Sequence, residues 1–154
     1  DMPVEPEFVI GHEKKALYRA LDKKYHFYKS IQSLPTDEKN KKIIEMVTTL
    51  LDAGATDAPN RSSLFFAIDN NHDPEVIQVL LDKEANIDIQ NGYSCDTALH
   101  CAVEKNASKT VQLLLARGAN PDIQNRCGQT ALMLAEQYGY QKIVLLITNH
   151  NTDQ

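Results

Sequence analysis

The block Thr97-Ala98-Leu99-His100-Cys101-Ala102 returns 33 residues later as Thr130-Ala131-Leu132-Met133-Leu134-Ala135. Upstream, Ser62-Ser63-Leu64-Phe65-Phe66-Ala67 fits the same frame. A short polar break follows each block, and then an apolar run: Val76 to Leu81, Val111 to Leu115, and Ile143 to Ile147. The first two runs stop at Glu84-Ala85 and Gly118-Ala119, which share a small alanine. Two nearly identical stretches come next, Asn86-Ile87-Asp88-Ile89-Gln90-Asn91 and Asn120-Pro121-Asp122-Ile123-Gln124-Asn125. A single unit of this size cannot bury its apolar face alone. Stacked units can, and about three are needed for stability.

Each unit reads as helix, turn, helix and hairpin loop. Thr97 and Thr130 are placed to cap a helix by accepting from an N–H of its first turn. Leu99 and Ala102 lie three apart on one helix face. The small Ala102 and Ala135 let a neighbouring helix come close. Asn106 and Gly139 let the chain reverse. The Val/Leu run forms the second helix, which Gly118 ends in the left-handed geometry of a C-cap. The Asp-Ile-Gln-Asn stretch is then extended and leads into a turn.

This pattern resembles the ankyrin repeat. The family's Thr-Pro-Leu-His-x-Ala signature stands here as Thr97 to Ala102 with Ala98 in the proline place, and its Leu-Leu-x-x-Gly-Ala stands as Leu114 to Ala119. The resemblance implies an all-α ankyrin-repeat solenoid of about four units, roughly 8–55, 56–88, 89–122 and 123–154, in a single domain over 1–154. It also implies that His100 braces the turn into its own helix through backbone hydrogen bonds. The first unit is extended. Ala16 to Ala20 and Met46 to Ala55 fit the frame, with about eighteen extra residues between them. We expect a first helix from about His12 to Ser33, a loop at Leu34-Pro35, and a second helix capped by Thr36. The inserted segment Leu21–Lys42 either projects, exposing Phe27, Tyr28 and Ile31, or packs back as an end cap. The link from Ala55 to Ser62 is short and predicts a stunted hairpin. Asn71 to Pro74 and Gly92 to Asp96 each carry one extra residue.

Signals for chemistry are weak. His100 and Cys101 are adjacent on a helix and point about 100° apart, so they do not form a nucleophile pair. Cys95, Cys101 and Cys127 offer no Cys-x-x-Cys pair for zinc, and an odd count does not suggest a disulfide framework. No phosphate-binding, dinucleotide, hydrolase or zinc-protease motif occurs. We therefore expect no enzyme, no cofactor and no metal. The net charge of -5 disfavours nucleic acid as the main partner. No apolar run reaches the ~18–20 residues that cross a membrane. The start at Asp1-Met2-Pro3 lacks the basic and apolar segments of a signal peptide and leaves room for a larger parent protein. An intracellular, cytoplasmic location and a monomer in isolation are expected.

The function implied by the resemblance is non-catalytic protein–protein interaction through the concave face and hairpin loops. Mapped by frame, the partner-binding residues are Arg61, Phe66, Asp69, Asn70, Tyr93, Asp96, Glu104, Lys105, Arg126, Gln129, Gln137 and Tyr138, with the Tyr and Arg side chains as energetic anchors. One alternative is a targeting or substrate-recruiting domain of a larger enzyme. Another is a bacterial or viral effector acting in the host cytosol or nucleus, since lysines outnumber arginines 12 to 4 and asparagines number eleven. A third is binding of nucleic acid or an acidic surface by the basic first helix, where Lys14, Lys15, Arg19, Lys23, Lys24 and Lys29 face only Glu13 and Asp22.

Overall fold

The computed structural model describes residues 29–52, 63–83 and 86–152. Seven helices occupy them: α1 Thr36–Asp52, α2 Ser63–Asp69, α3 Pro74–Lys83, α4 Ala98–Glu104, α5 Ser108–Ala116, α6 Ala131–Tyr138 and α7 Gln141–Thr152. No strand occurs among the described residues. The helices pack in two columns. α2, α4 and α6 stack on one another as an inner layer, while α1, α3, α5 and α7 stack as an outer layer. Within units, α2 pairs with α3, α4 with α5 and α6 with α7.

The recurring residues fill the space between the columns. Leu64, Leu99 and Ala102 from the inner layer meet Val76, Val111, Leu114 and Ile143 from the outer one, all essentially withdrawn from solvent. The alanines at 67, 102 and 135 are fully buried. Side chains this small bring the inner helices close together.

Each inner helix ends in one hydrogen-bond motif. The Asn106 N–H donates to the Val103 carbonyl at 2.8 Å and the Ala107 N–H to the Ala102 carbonyl at 2.9 Å. The same pair closes α2 around Asn71 and α6 around Gly139. This is the Schellman arrangement, and its central residue must take positive φ. The values are 53° at Asn71, 52° at Asn106 and 73° at Gly139. Asparagine and glycine are the residues that reach this region most readily. α5 ends likewise, with Gly118 at φ 87° as the sequence predicts.

The hairpin loops carry their own ladder. Asn86 and Asn120 each accept from a backbone N–H two residues on. The Asp88 carboxylate accepts from the Asn120 N–H at 2.9 Å, and the Gln90 side chain donates to the Gln124 carbonyl at 2.9 Å. The near-identical Asn-to-Asn stretches thus bind each other across the unit boundary. Ion pairs Lys83–Asp52, at 2.7 Å, and Arg117–Asp82 add exposed links between outer helices. Exposed pairs of this kind contribute about 0–1 kcal/mol each.

In the first unit one open alternative is decided and two expectations are changed. Ile31 is 3% exposed and belongs to the core, with Leu34 packed against it, so the described end of the insertion packs back instead of projecting. Thr36 is the first residue of α1, not its cap. The Pro35 carbonyl accepts the first helical bond, from the Lys39 N–H at 2.9 Å. The expected helix to Ser33 ends at Ser30, with turns over 31–34. Phe27, Tyr28, the remainder of that helix over 12–28 with its basic face, and the short Ala55–Ser62 link lie outside the described residues.

Candidate functional site

His100 is the side chain most suggestive of chemistry, and its partners determine its role. It is 1% exposed. Its Nδ1 accepts from the Thr97 N–H at 3.2 Å, and the Thr97 hydroxyl lies 2.8 Å from the same nitrogen. Its Nε2 lies 2.9 Å from the Gln129 carbonyl. A backbone N–H only donates and a carbonyl only accepts, so the ring proton sits on Nε2. His100 braces the entry to α4 and also ties it to the next unit. Cys101 is equally unsuited to attack. Burial, then the charges of Asp69, Asp96 and Glu104, push its thiol well above the ordinary range. Among the described residues no group of three or more His, Cys, Asp and Glu could hold a metal ion. No helix among them is long and apolar enough to cross a membrane.

The partner-binding residues expected from the frame fall in two groups. Asp69 and Asn70 close α2, Glu104 and Lys105 close α4, and Gln137 and Tyr138 close α6. Asp69, Glu104 and Gln137 hold one frame position, and Asn70, Lys105 and Tyr138 the next. Asp69, Glu104, Lys105, Gln137 and Tyr138 are exposed, whereas Asn70 and Phe66 are half-buried. The Asn70 amide donates back to the Phe66 carbonyl at 2.9 Å. Lys105 reaches Asp69 of the preceding unit at 3.9 Å. The face is acidic at its centre: partial burial, then Asp96 and Asp69, raise the Glu104 carboxyl above its usual range.

The second group lies in the hairpins. Tyr93 is 87% exposed, and Arg126 is exposed in the next hairpin. The two tips are held in register by the Arg126 N–H, which donates to the Ser94 carbonyl at 2.8 Å. Gln129 is half-buried and donates through its side chain to Gln137 at 2.8 Å. Asp96 is placed differently from the open surface expected of it. It is 6% exposed, and its carboxylate accepts from Asn125 at 2.9 Å and from the Ser94 hydroxyl. That carboxylate holds two hairpins together. Arg61 lies outside the described residues.

Two exposed apolar residues among those described, Met133 and Leu145, were not among the expected site residues. Met133 is 48% exposed on α6, at the frame position where Phe65 and His100 are buried. Among the described residues no unit stacks beyond α6 over that position.

Comparison with known proteins agrees with this architecture. The family model described as ankyrin repeats (3 copies) matches residues 38–125 and 64–154. The chain is 45% identical over 73 residues to a rice protein named "Probable E3 ubiquitin-protein ligase XBOS34", covering 47% of this chain and 14% of that one. It is 33% identical over 126 residues to the ankyrin repeat, SAM and basic leucine zipper domain-containing protein 1 of Atelerix albiventris, covering 72% of this chain and 26% of that protein. The chain therefore spans well under a third of either relative. Among solved structures it is similar to the ankyrin repeat domain of Bcl-3, with TM-score 0.61 and 31% identity over 71% of this chain and 48% of that one. The matched frame, the two-column stack and the bonds that close each unit agree: the chain belongs to the ankyrin-repeat family, whose repeats form a protein–protein interaction module.

Proposed function

We infer that this chain binds a protein partner, without catalysis, through the exposed ends of its inner helices and the tips of its hairpins. The observation that carries this reading is the pair Tyr93 and Arg126. Both are exposed on adjacent tips whose backbones are bonded together. An aromatic ring and a guanidinium held on bonded backbones offer large contact area without ordering of the loops, and both types are enriched among binding hot spots. The residues that recur, by contrast, are used up in helix packing and turns. Glu104, Asp69 and Tyr138 extend the surface below the tips. Asp96 is reassigned to holding it together.

The test is capture of partners from a cell lysate by the intact chain and by a Tyr93→Ala, Arg126→Ala double variant of unchanged circular dichroism. Loss of the partner from the double variant is expected. Undiminished recovery would move the interface elsewhere. A second reading, recruitment of substrate for a larger enzyme, draws support from the likeness to the rice protein named for ubiquitin ligation and from the small share of that protein which the chain spans. Under it, residues 1–154 bind the substrate but transfer no ubiquitin. Turnover by this chain alone would refute both readings. An intracellular location and a monomeric state belong to the same proposal.

A further inference from the structure

At the edge where inner helices hand over to outer ones, a groove of about 470 Å³ opens between the starts of α1, α3 and α5. We propose that it binds a phosphate group. The groove shares no residue with the interface above, although its Asn71 follows directly on Asn70 of that interface, and the test below uses the chain without a protein partner.

The three helix starts are not alike. α3 is closed by its own carboxylate, since Asp73 accepts from the Glu75 N–H at 3.3 Å. α1 carries Asp37 and Glu38 in its first turn. α5 has neither device. Its capping position is Ala107, which has no side-chain acceptor. Among the described residues the N–H groups of Lys109 and Thr110 have no hydrogen-bond partner.

Thr110 supplies the second, independent observation. It lines the groove, is 5% exposed, and its hydroxyl has no partner among the described residues. Its frame position is held by Val76 in the preceding unit and Ile143 in the following one, both fully buried. A hydroxyl has thus been placed where the neighbouring units have only methyl groups. An unpaired buried hydroxyl costs about 1–3 kcal/mol, so its presence calls for an acceptor.

The rest of the lining is rich in donors. Ser108 and Thr36 contribute hydroxyls, and Lys109 and Lys39 contribute ammonium groups from opposite sides. The lone carboxylate in the wall, Asp73, is engaged with its own helix. A free helix start is a partial positive charge with its N–H groups directed outward, which suits an anion. The donors here outnumber what a carboxylate can accept and match a tetrahedral dianion. The volume exceeds a bare phosphate, which leaves space for the group it esterifies.

The test is a titration of the 15N-labelled chain with sodium phosphate at constant ionic strength, with sodium chloride as control. Saturable shifts at the Lys109 and Thr110 amides are expected with phosphate alone. Lys39→Gln with Lys109→Gln should weaken binding by about tenfold. Thr110→Val keeps the volume and restores the residue type of the neighbouring units. It should leave the chain folded, raise its melting temperature, and still weaken phosphate by about threefold or more. A phosphoserine peptide then identifies the source. Tighter binding than inorganic phosphate, absent for the unphosphorylated peptide, assigns the site to a phosphorylated protein, and equal or weaker binding assigns it to a small phosphate compound. Shifts that do not saturate, or that chloride reproduces, or phosphate binding unchanged in Thr110→Val, would overturn the site.

Discussion

At the scale of single residues, the positions with positive φ show how the frame constrains identity. Asn71, Asn106 and Gly139 fall at one position of three successive units, and the sequence already marked two of them as chain reversals. Cys95 was not legible in this way. It takes φ 55°, and its counterpart in the next hairpin is Gly128, at φ 73°. The extra residue in Gly92–Asp96 hid that correspondence. Asp96, beside Cys95, is turned inward onto Ser94 and Asn125. A non-glycine residue in the left-handed region costs about 1–2 kcal/mol, against about 0.5–1 kcal/mol of added chain entropy for glycine. Cys95→Gly should therefore stabilise the fold by about 0.5 kcal/mol. The check is a rise in the urea midpoint at constant slope, and a fall would show that Cys95 is not strained. The thiols give a second expectation. Cys101 is buried and its thiol is held protonated, whereas Cys127 is exposed. Brief alkylation near pH 8 should label Cys127 in the native chain and Cys101 only after unfolding, as read by peptide mass spectrometry.

At the scale of elements, some helix boundaries were legible because their chemistry is local, although the Thr97 hydroxyl is turned to His100 Nδ1 and Thr36 lies inside its helix. Thr130 caps α6 by accepting from the Met133 N–H at 3.3 Å, as its place before the apolar run indicated. The reach of His100 into the next unit was not legible. No local pattern shows that its Nε2 meets the Gln129 carbonyl, 29 residues away. That bond makes α4 and α6 a coupled pair. His100→Ala would strand the Thr97 N–H, take one of two donors from the Gln129 carbonyl, which keeps the Asn125 N–H at 2.9 Å, and leave a cavity, so a loss of about 2–4 kcal/mol is expected. Faster native-state hydrogen exchange at Thr97 should accompany the loss. A change below about 0.5 kcal/mol would mean that water replaces the ring without cost.

At the scale of the molecule, the stack was readable because the repeats recur in phase. Its first unit was less so, because an insertion has no frame to be read against. Ile31 illustrates this: period alone allowed either an exposed tip or a core contact, and packing against the neighbouring helices decides for the core. The interface has the same limitation. The frame nominated its positions, but burial separates Asp96 from Tyr93, and burial is a property of the assembled stack. In the proposed function, recurring residues build the scaffold while the inner-helix ends and hairpin tips hold a partner. Hydrogen–deuterium exchange of the chain, alone and with its captured partner, tests this most directly. Added protection is expected at 91–97 and 125–130 and at the C-terminal ends of α2, α4 and α6. Protection confined to the outer helices α1, α3, α5 and α7 would contradict it.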